Sequence, residues 1–198
     1  PFEALLANVA IESIAHRCIM IGEDLGTVPD GFRERLADWA IWSYRVMIFE
    51  RDAGGMFNAP NSYPAHALVT FSTHDLATFA GWRSGHDIAL KQSLQIDPGE
   101  SANDREHAVH QLDAALGGQL HGSDGFEPVL SYLAQTPSRL LGVAIEDLLG
   151  VADQANVPGT TVQHPNWRRK LPMPFEAWGD AIDIDKLKEA LRLRIVSP

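Results

Sequence analysis

The stretch CIMIGEDLGTVPDGF, Cys18 to Phe32, opens with a short apolar run and then delivers two adjacent carboxylates, Glu23 and Asp24, ahead of Gly26 and Pro29. Four or five apolar residues closed by a Gly/Pro turn read as a strand covered on both faces, which belongs to a parallel sheet rather than a half-solvated antiparallel one. Parallel strands of this kind carry their chemistry at the carboxyl end. Two acids placed there therefore ask for a role.

The same pattern repeats on the C-terminal side. Phe2, Leu5, Leu6, Val9 and Ile14 fall near helical spacing, so the spacing predicts a helix over residues 2–16 that leads into the strand at Cys18–Gly22. A helix with Phe32, Leu36 and Trp39 on one face follows the turn. Further strands are predicted at Tyr44–Glu50, at Ala67–Thr73 with His74 and Asp75 behind it, and from Leu140 to Gly150, a run that breaks into Glu146 and Asp147. Between the last two lies a polar stretch, Gln95 to Gly125, in which Ala108, Leu112, Ala115 and Leu116 indicate helix and GGQLHGSDG an exposed loop. This is a helical excursion within residues 90–130 of a single domain spanning residues 1–198. Alternating helices and strands with polar residues at strand ends give an α/β chain of about four βα units, half of what a closed (β/α)8 barrel needs.

Bulk properties narrow the partners. In 198 residues, 45% are hydrophobic and 21% charged, enough for one core and too mixed for disorder. The formal charge of -10 provides no basic field for a phosphate backbone, and no segment reaches the roughly 20 apolar residues of a membrane span, so neither nucleic acid nor membrane is an expected partner. Cys18 is the single cysteine and is expected to be a small buried hydrophobe in a reducing compartment. His107 and His110 stand three apart, but no third ligand accompanies them, and no metal or other cofactor is expected.

Glu23 and Asp75 occupy equivalent places behind two strands, where a protonated acid and an ionised carboxylate share glycosidic chemistry. The alternative is helix capping, for which STHDL and GEDLG both qualify. Asp24 and Asp147 read as caps or supporting partners, and His74 as either a structural histidine or a donor to a sugar hydroxyl.

Taken in order, IGEDLGTVP, RVMIFERD, YPAHALVTFSTHDLATFAGW, GVAIEDLLG and NVPGTTVQHPNWRRKLP resemble the 4-alpha-glucanotransferases, or amylomaltases, of the alpha-amylase clan. The resemblance implies a TIM barrel, of which this chain is the C-terminal half with strands five to eight, and a retaining transfer between α-1,4-glucans. It places the acid/base on Glu23 of the E-D-L-G motif and the transition-state stabiliser on Asp75 of the T-H-D motif. His74, Asn156 and Trp167 become substrate-side residues, and Arg168 and Arg169 pair with acids to fix their loop. The family nucleophile is an aspartate upstream of E-D-L-G, yet residues 1–22 contain none, only Glu3 and Glu12. The expectation is a cytoplasmic enzyme fragment whose nucleophile lies in an N-terminal part. It would be inactive alone, and its open edges would be covered by that part or by a homo-oligomer. Val46, Ile48, Val69 and Phe71 would lack facing partners. A carbohydrate-binding or assembly fragment without chemistry, and a glucan hydrolase of the same clan, are the alternatives.

Overall fold

A computed structural model of the chain describes residues 1–194. Four strands lie side by side in sequence order, β1 (Ile21–Gly22), β2 (Trp42–Val46), β3 (Ala67–Thr70) and β4 (Leu140–Leu141), each parallel to its neighbour. Ile21 is in register with Trp42, Tyr44 with Leu68 and Leu68 with Leu140. Because side chains alternate along a strand, Ile21, Trp42, Tyr44, Leu68 and Leu140 share one face, and Ala67, Val69 and Leu141 the other. Ala67 and Val69 are buried; Ile21, on the first face, is exposed.

Helices build the rest: α1 (Phe2–His16), α2 (Phe32–Asp38), α3 (Phe79–Ser84), α4 (His86–Ser93), α5 (Ala102–Ala115), α6 (Glu127–Ala134), α7 (Ile145–Leu148), α8 (Trp178–Ala181) and α9 (Ile184–Leu191). Val69 and Phe71 meet Phe79 and Trp82 of α3, Leu112 of α5 and Val129 and Leu133 of α6 in the main core. Phe71 stands edge-on to Phe79, Trp82 and Phe126, the arrangement that ring quadrupoles favour. A smaller cluster of Leu6, Leu36 and Ile41 joins α1 and α2. None of the described helices is long and apolar enough to cross a membrane.

Several elements depart from the sequence reading. The expected strand at Cys18–Gly22 pairs only at Ile21–Gly22, and Cys18 is exposed: α1 ends on Arg17 in the left-handed conformation, and Cys18 lies in the link that follows. Tyr44–Glu50 is strand only to Val46 and then tightens into a 3-10 turn, Met47–Phe49. The run Leu140–Gly150 is two residues of strand followed by α7, since an apolar run without a period does not separate strand from helix. Val46, Val69 and Phe71, expected to lack partners, are buried, the last two beneath the helices. The loop GGQLHGSDG turns through Gly117, Gly118 and Gly122 at positive φ and buries Leu120, whose N–H donates to Asp113 Oδ1 at 2.8 Å.

The polar stretch is therefore part of the core rather than an ornament on it. Leu112→Ala, at a fully buried position of α5, is expected to lower the unfolding free energy by about 3 kcal/mol, the range for truncating a packed leucine. Urea unfolding followed by circular dichroism measures it; a loss below about 1 kcal/mol would show that the excursion is detachable.

Candidate functional site

The carboxyl edge of the sheet is where the acids lie, and the two adjacent ones divide the work. Asp24 is 1% exposed. Its carboxylate accepts from Ser43 Oγ at 2.8 Å, from Arg33 Nε at 2.8 Å and from the Tyr44 backbone N–H at 3.1 Å, while Arg33 Nη2 donates to its carbonyl at 2.8 Å. Burial alone would push this carboxyl up, but the hydrogen bonds from Ser43, Tyr44 and Arg33 outweigh it and hold the group below the usual carboxylate range. Glu23, one residue earlier on the pleat, is exposed and has no hydrogen-bond partner among the described residues.

Behind β3 the chain turns sharply. Thr70 Oγ1 donates to Ser72 O at 2.9 Å, Ser72 Oγ to Ala77 O at 2.7 Å, and the Asp75 N–H to Thr73 Oγ1 at 3.2 Å, so His74 and Asp75 stand at the rim. From a loop 81 residues further on, Asn156 Nδ2 donates to Asp75 Oδ1 at 2.7 Å. His74 Nε2 is 3.5 Å from the same oxygen, and its ring centroid is 5.6 Å from that of Trp167. Trp167 is 62% exposed and adopts φ +59°, a left-handed conformation that a bulky residue holds only when its surroundings fix it. The fixing is visible: its N–H donates to Ala155 O at 3.0 Å, and Asn166 accepts from the Val157 N–H at 3.0 Å and donates to Thr160 Oγ1 at 2.7 Å. Arg169 pairs with Asp153 at 2.6 Å.

These loops enclose a cavity of about 360 Å³ lined by, among others, Tyr44, Thr70, His74, Glu146, Asp147 and Trp167. The structure thus gathers His74, Asp75, Asn156 and Trp167 at one place. Glu23 follows β1 on the same carboxyl edge, two strands from β3. Neither acid caps a helix, as α3 is capped by Thr78, whose Oγ1 accepts from the Gly81 N–H at 3.1 Å, and α2 begins at Gly31 without a side-chain cap. Tyr44 and Thr70 escaped the sequence reading, which noted Glu146 as an acid behind a strand but gave it no role. For Tyr44 the signal was available, since it lies two residues from Trp42 on the same strand face once the strand is begun at Trp42.

Comparison with known proteins now bears on this geometry. The 4-alpha-glucanotransferase family model matches residues 1–174, and the chain belongs to that family. It is 34% identical to a 4-alpha-glucanotransferase of Haemophilus influenzae over 88% of this chain and 28% of that protein. It is 32% identical to one from Mycobacterium bovis over 99% of this chain and 30% of that protein. Among solved structures it resembles the amylomaltase of Corynebacterium glutamicum with a TM-score of 0.84 at 25% identity, covering 96% of this chain and 31% of that one. The chain spans about a third or less of the length of these relatives.

Asp147 supports the site from below. Its Oδ1 accepts the Phe79 N–H at 2.7 Å at the start of α3. Burial pushes its carboxyl up to about 6, with Glu146 adding to the shift and the Phe79 bond opposing it. A carboxyl raised in the folded state contributes stability that is full below the unfolded value near 3.8 and is lost as pH rises through about 6. Asp147→Asn removes that loss, so its stability relative to the parent chain should grow by about 2 kcal/mol between pH 4 and pH 7. Urea midpoints of the two chains across that range test it, and a difference independent of pH would show that the Asp147 carboxyl is not raised in the folded chain.

Proposed function

We propose that this chain supplies the acid/base and the transition-state stabiliser of a retaining 4-alpha-glucanotransferase site, its four strands standing as the fifth to eighth of a (β/α)8 barrel. The observation that carries the reading is the convergence of His74, Asp75, Asn156 and Trp167 on the carboxyl edge of the sheet that also bears Glu23.

Exposed Glu23 protonates the glycosidic oxygen as the leaving glucan departs, then takes the proton from the 4-hydroxyl of the incoming glucan. Asp75, oriented by Asn156, accepts hydrogen bonds from hydroxyls of the sugar as it flattens toward its oxocarbenium-like state. His74 donates to the same sugar, and Trp167 offers an apolar face at the rim. The nucleophilic carboxylate that forms the covalent glycosyl intermediate comes from outside this chain, as residues 1–22 hold no aspartate. The enzyme is cytoplasmic, its substrates are α-1,4-glucan oligosaccharides, and its steps are proton and glycosyl transfers that use no cofactor.

In an enzyme that includes the nucleophile, Glu23→Gln is expected to cut maltotriose disproportionation by at least about 100-fold while retaining glucan binding, because the amide keeps the shape and cannot cycle a proton. Turnover within a few-fold of the parent would place the acid elsewhere. The 198-residue chain alone should form no longer maltodextrins from maltotriose.

The open sheet face and the outer side of α1, where Leu5, Ile11 and Ile14 are exposed, call for cover. In the isolated chain a second copy provides it. Light scattering should report a dimer or larger species, and a stable monomer that binds no apolar dye would contradict this.

A further inference from the structure

The loop that carries Asn156 reaches Asp75 only because it is seated on α3. The Thr78 hydroxyl does two things there: it accepts from the Gly81 N–H at 3.1 Å, capping the helix, and donates to the Val151 carbonyl at 2.6 Å. Gly81 faces the same segment, and a Cβ at that position would collide with the Ala152 carbonyl oxygen. The backbone of α3 is regular at Gly81, so the glycine is there for the approach and not for its dihedral freedom. One residue further, Asp153 Oδ1 meets His86 Nε2 at 2.9 Å and Oδ2 meets Arg169 at 2.6 Å, which fixes the far side of the loop. Asn156 follows within three residues and has a short side chain. Lifting the loop by 1 Å would stretch its 2.7 Å bond to Asp75 beyond hydrogen-bond range.

We infer that Thr78 and Gly81 are positioning residues: together they set the height of residues 151–156 above α3, and through it the orientation of the Asp75 carboxylate by Asn156. The catalytic meaning of this rests on the function proposed for Asp75, whereas the geometry does not. Thr78 and Gly81 touch no sugar in this scheme and act only through Asn156.

The experiment reads the Asn156 side-chain amide directly, in the 15N-labelled 198-residue chain without carbohydrate, with the signal assigned by its disappearance in Asn156→Asp. Gly81→Ala is the central variant, since alanine favours helix over glycine and its methyl forces the Ala152 carbonyl away, while the Thr78 hydroxyl, 3.1 Å from the added Cβ, has to yield by only a few tenths of an ångström. In this variant the Asn156 amide protons should exchange at least about tenfold faster, the loss of roughly one hydrogen bond, with the backbone signals of the sheet unmoved. Thr78→Val should have the same effect and Thr78→Ser, which keeps the hydroxyl, should not. Should Thr78→Val not fold, Gly81→Ala and Thr78→Ser decide alone. An Asn156 amide unchanged in folded Gly81→Ala, or displaced in Thr78→Ser, overturns the inference. No turnover enters the measurement, so failure here leaves the glucan chemistry standing, and normal turnover in Glu23→Gln leaves this result standing.

Discussion

The buried Asp24 carboxylate is the tie on which the site-bearing edge depends. β1 contributes only two residues to the sheet, and a two-rung ladder is too little to hold a strand at an edge. Asp24 adds bonds to Ser43 and to the Tyr44 N–H at the head of β2, and Arg33 brings the start of α2 onto the same carboxylate. Strand, neighbouring strand and helix are thus joined through one side chain. With Asp24 turned in, Glu23 is directed outward from a fixed point, which is what the acid/base role proposed for it requires.

The same economy of ladder and abundance of cross-bonds recurs at β3 and β4. β4 has two residues, and its exit is held by Asp147 on the Phe79 N–H and by the Gly142 N–H on the Val69 carbonyl. α3 is short, yet its first turn receives Thr78 from its own chain and Asp147 from the next unit, so orphan backbone donors that a helix start leaves open serve as sockets for the loops around the cavity. Behind them the edge-on cluster of Phe71, Phe79, Trp82 and Phe126 gives the turn after β3 a rigid floor.

The sequence showed which strands are followed by acids, because a run of apolar residues followed at once by acids survives any error of a residue or two in strand length. The parallel α/β class and the residues His74, Asp75, Asn156 and Trp167 followed from that and from family motifs. It did not show which of Glu23 and Asp24 would be buried, since that depends on the register of Asp24 against Tyr44, 20 residues away. Nor did it show that the run from Leu140 would turn helical after two residues, because the decision lies with Asp147 reaching Phe79 across 68 residues. Cys18 was misjudged for a related reason: its burial was inferred from neighbours in sequence, while Arg17 ends α1 in a left-handed turn that carries the next residues out to solvent. The bond from Asn156 to Asp75 spans 81 positions and has no local signature at all.

That misjudged cysteine has a practical side. Cys18 is the chain's single thiol, it is exposed, and it sits three residues before the strand at the open edge of the sheet. A thiol-reactive dye would therefore label one site, next to the surface where a neighbouring strand would dock and well away from the cavity behind β3 and β4. Its emission would follow covering of that edge in real time. Under oxidising conditions the same exposure invites a disulfide between two copies, so the chain is best handled with reductant present.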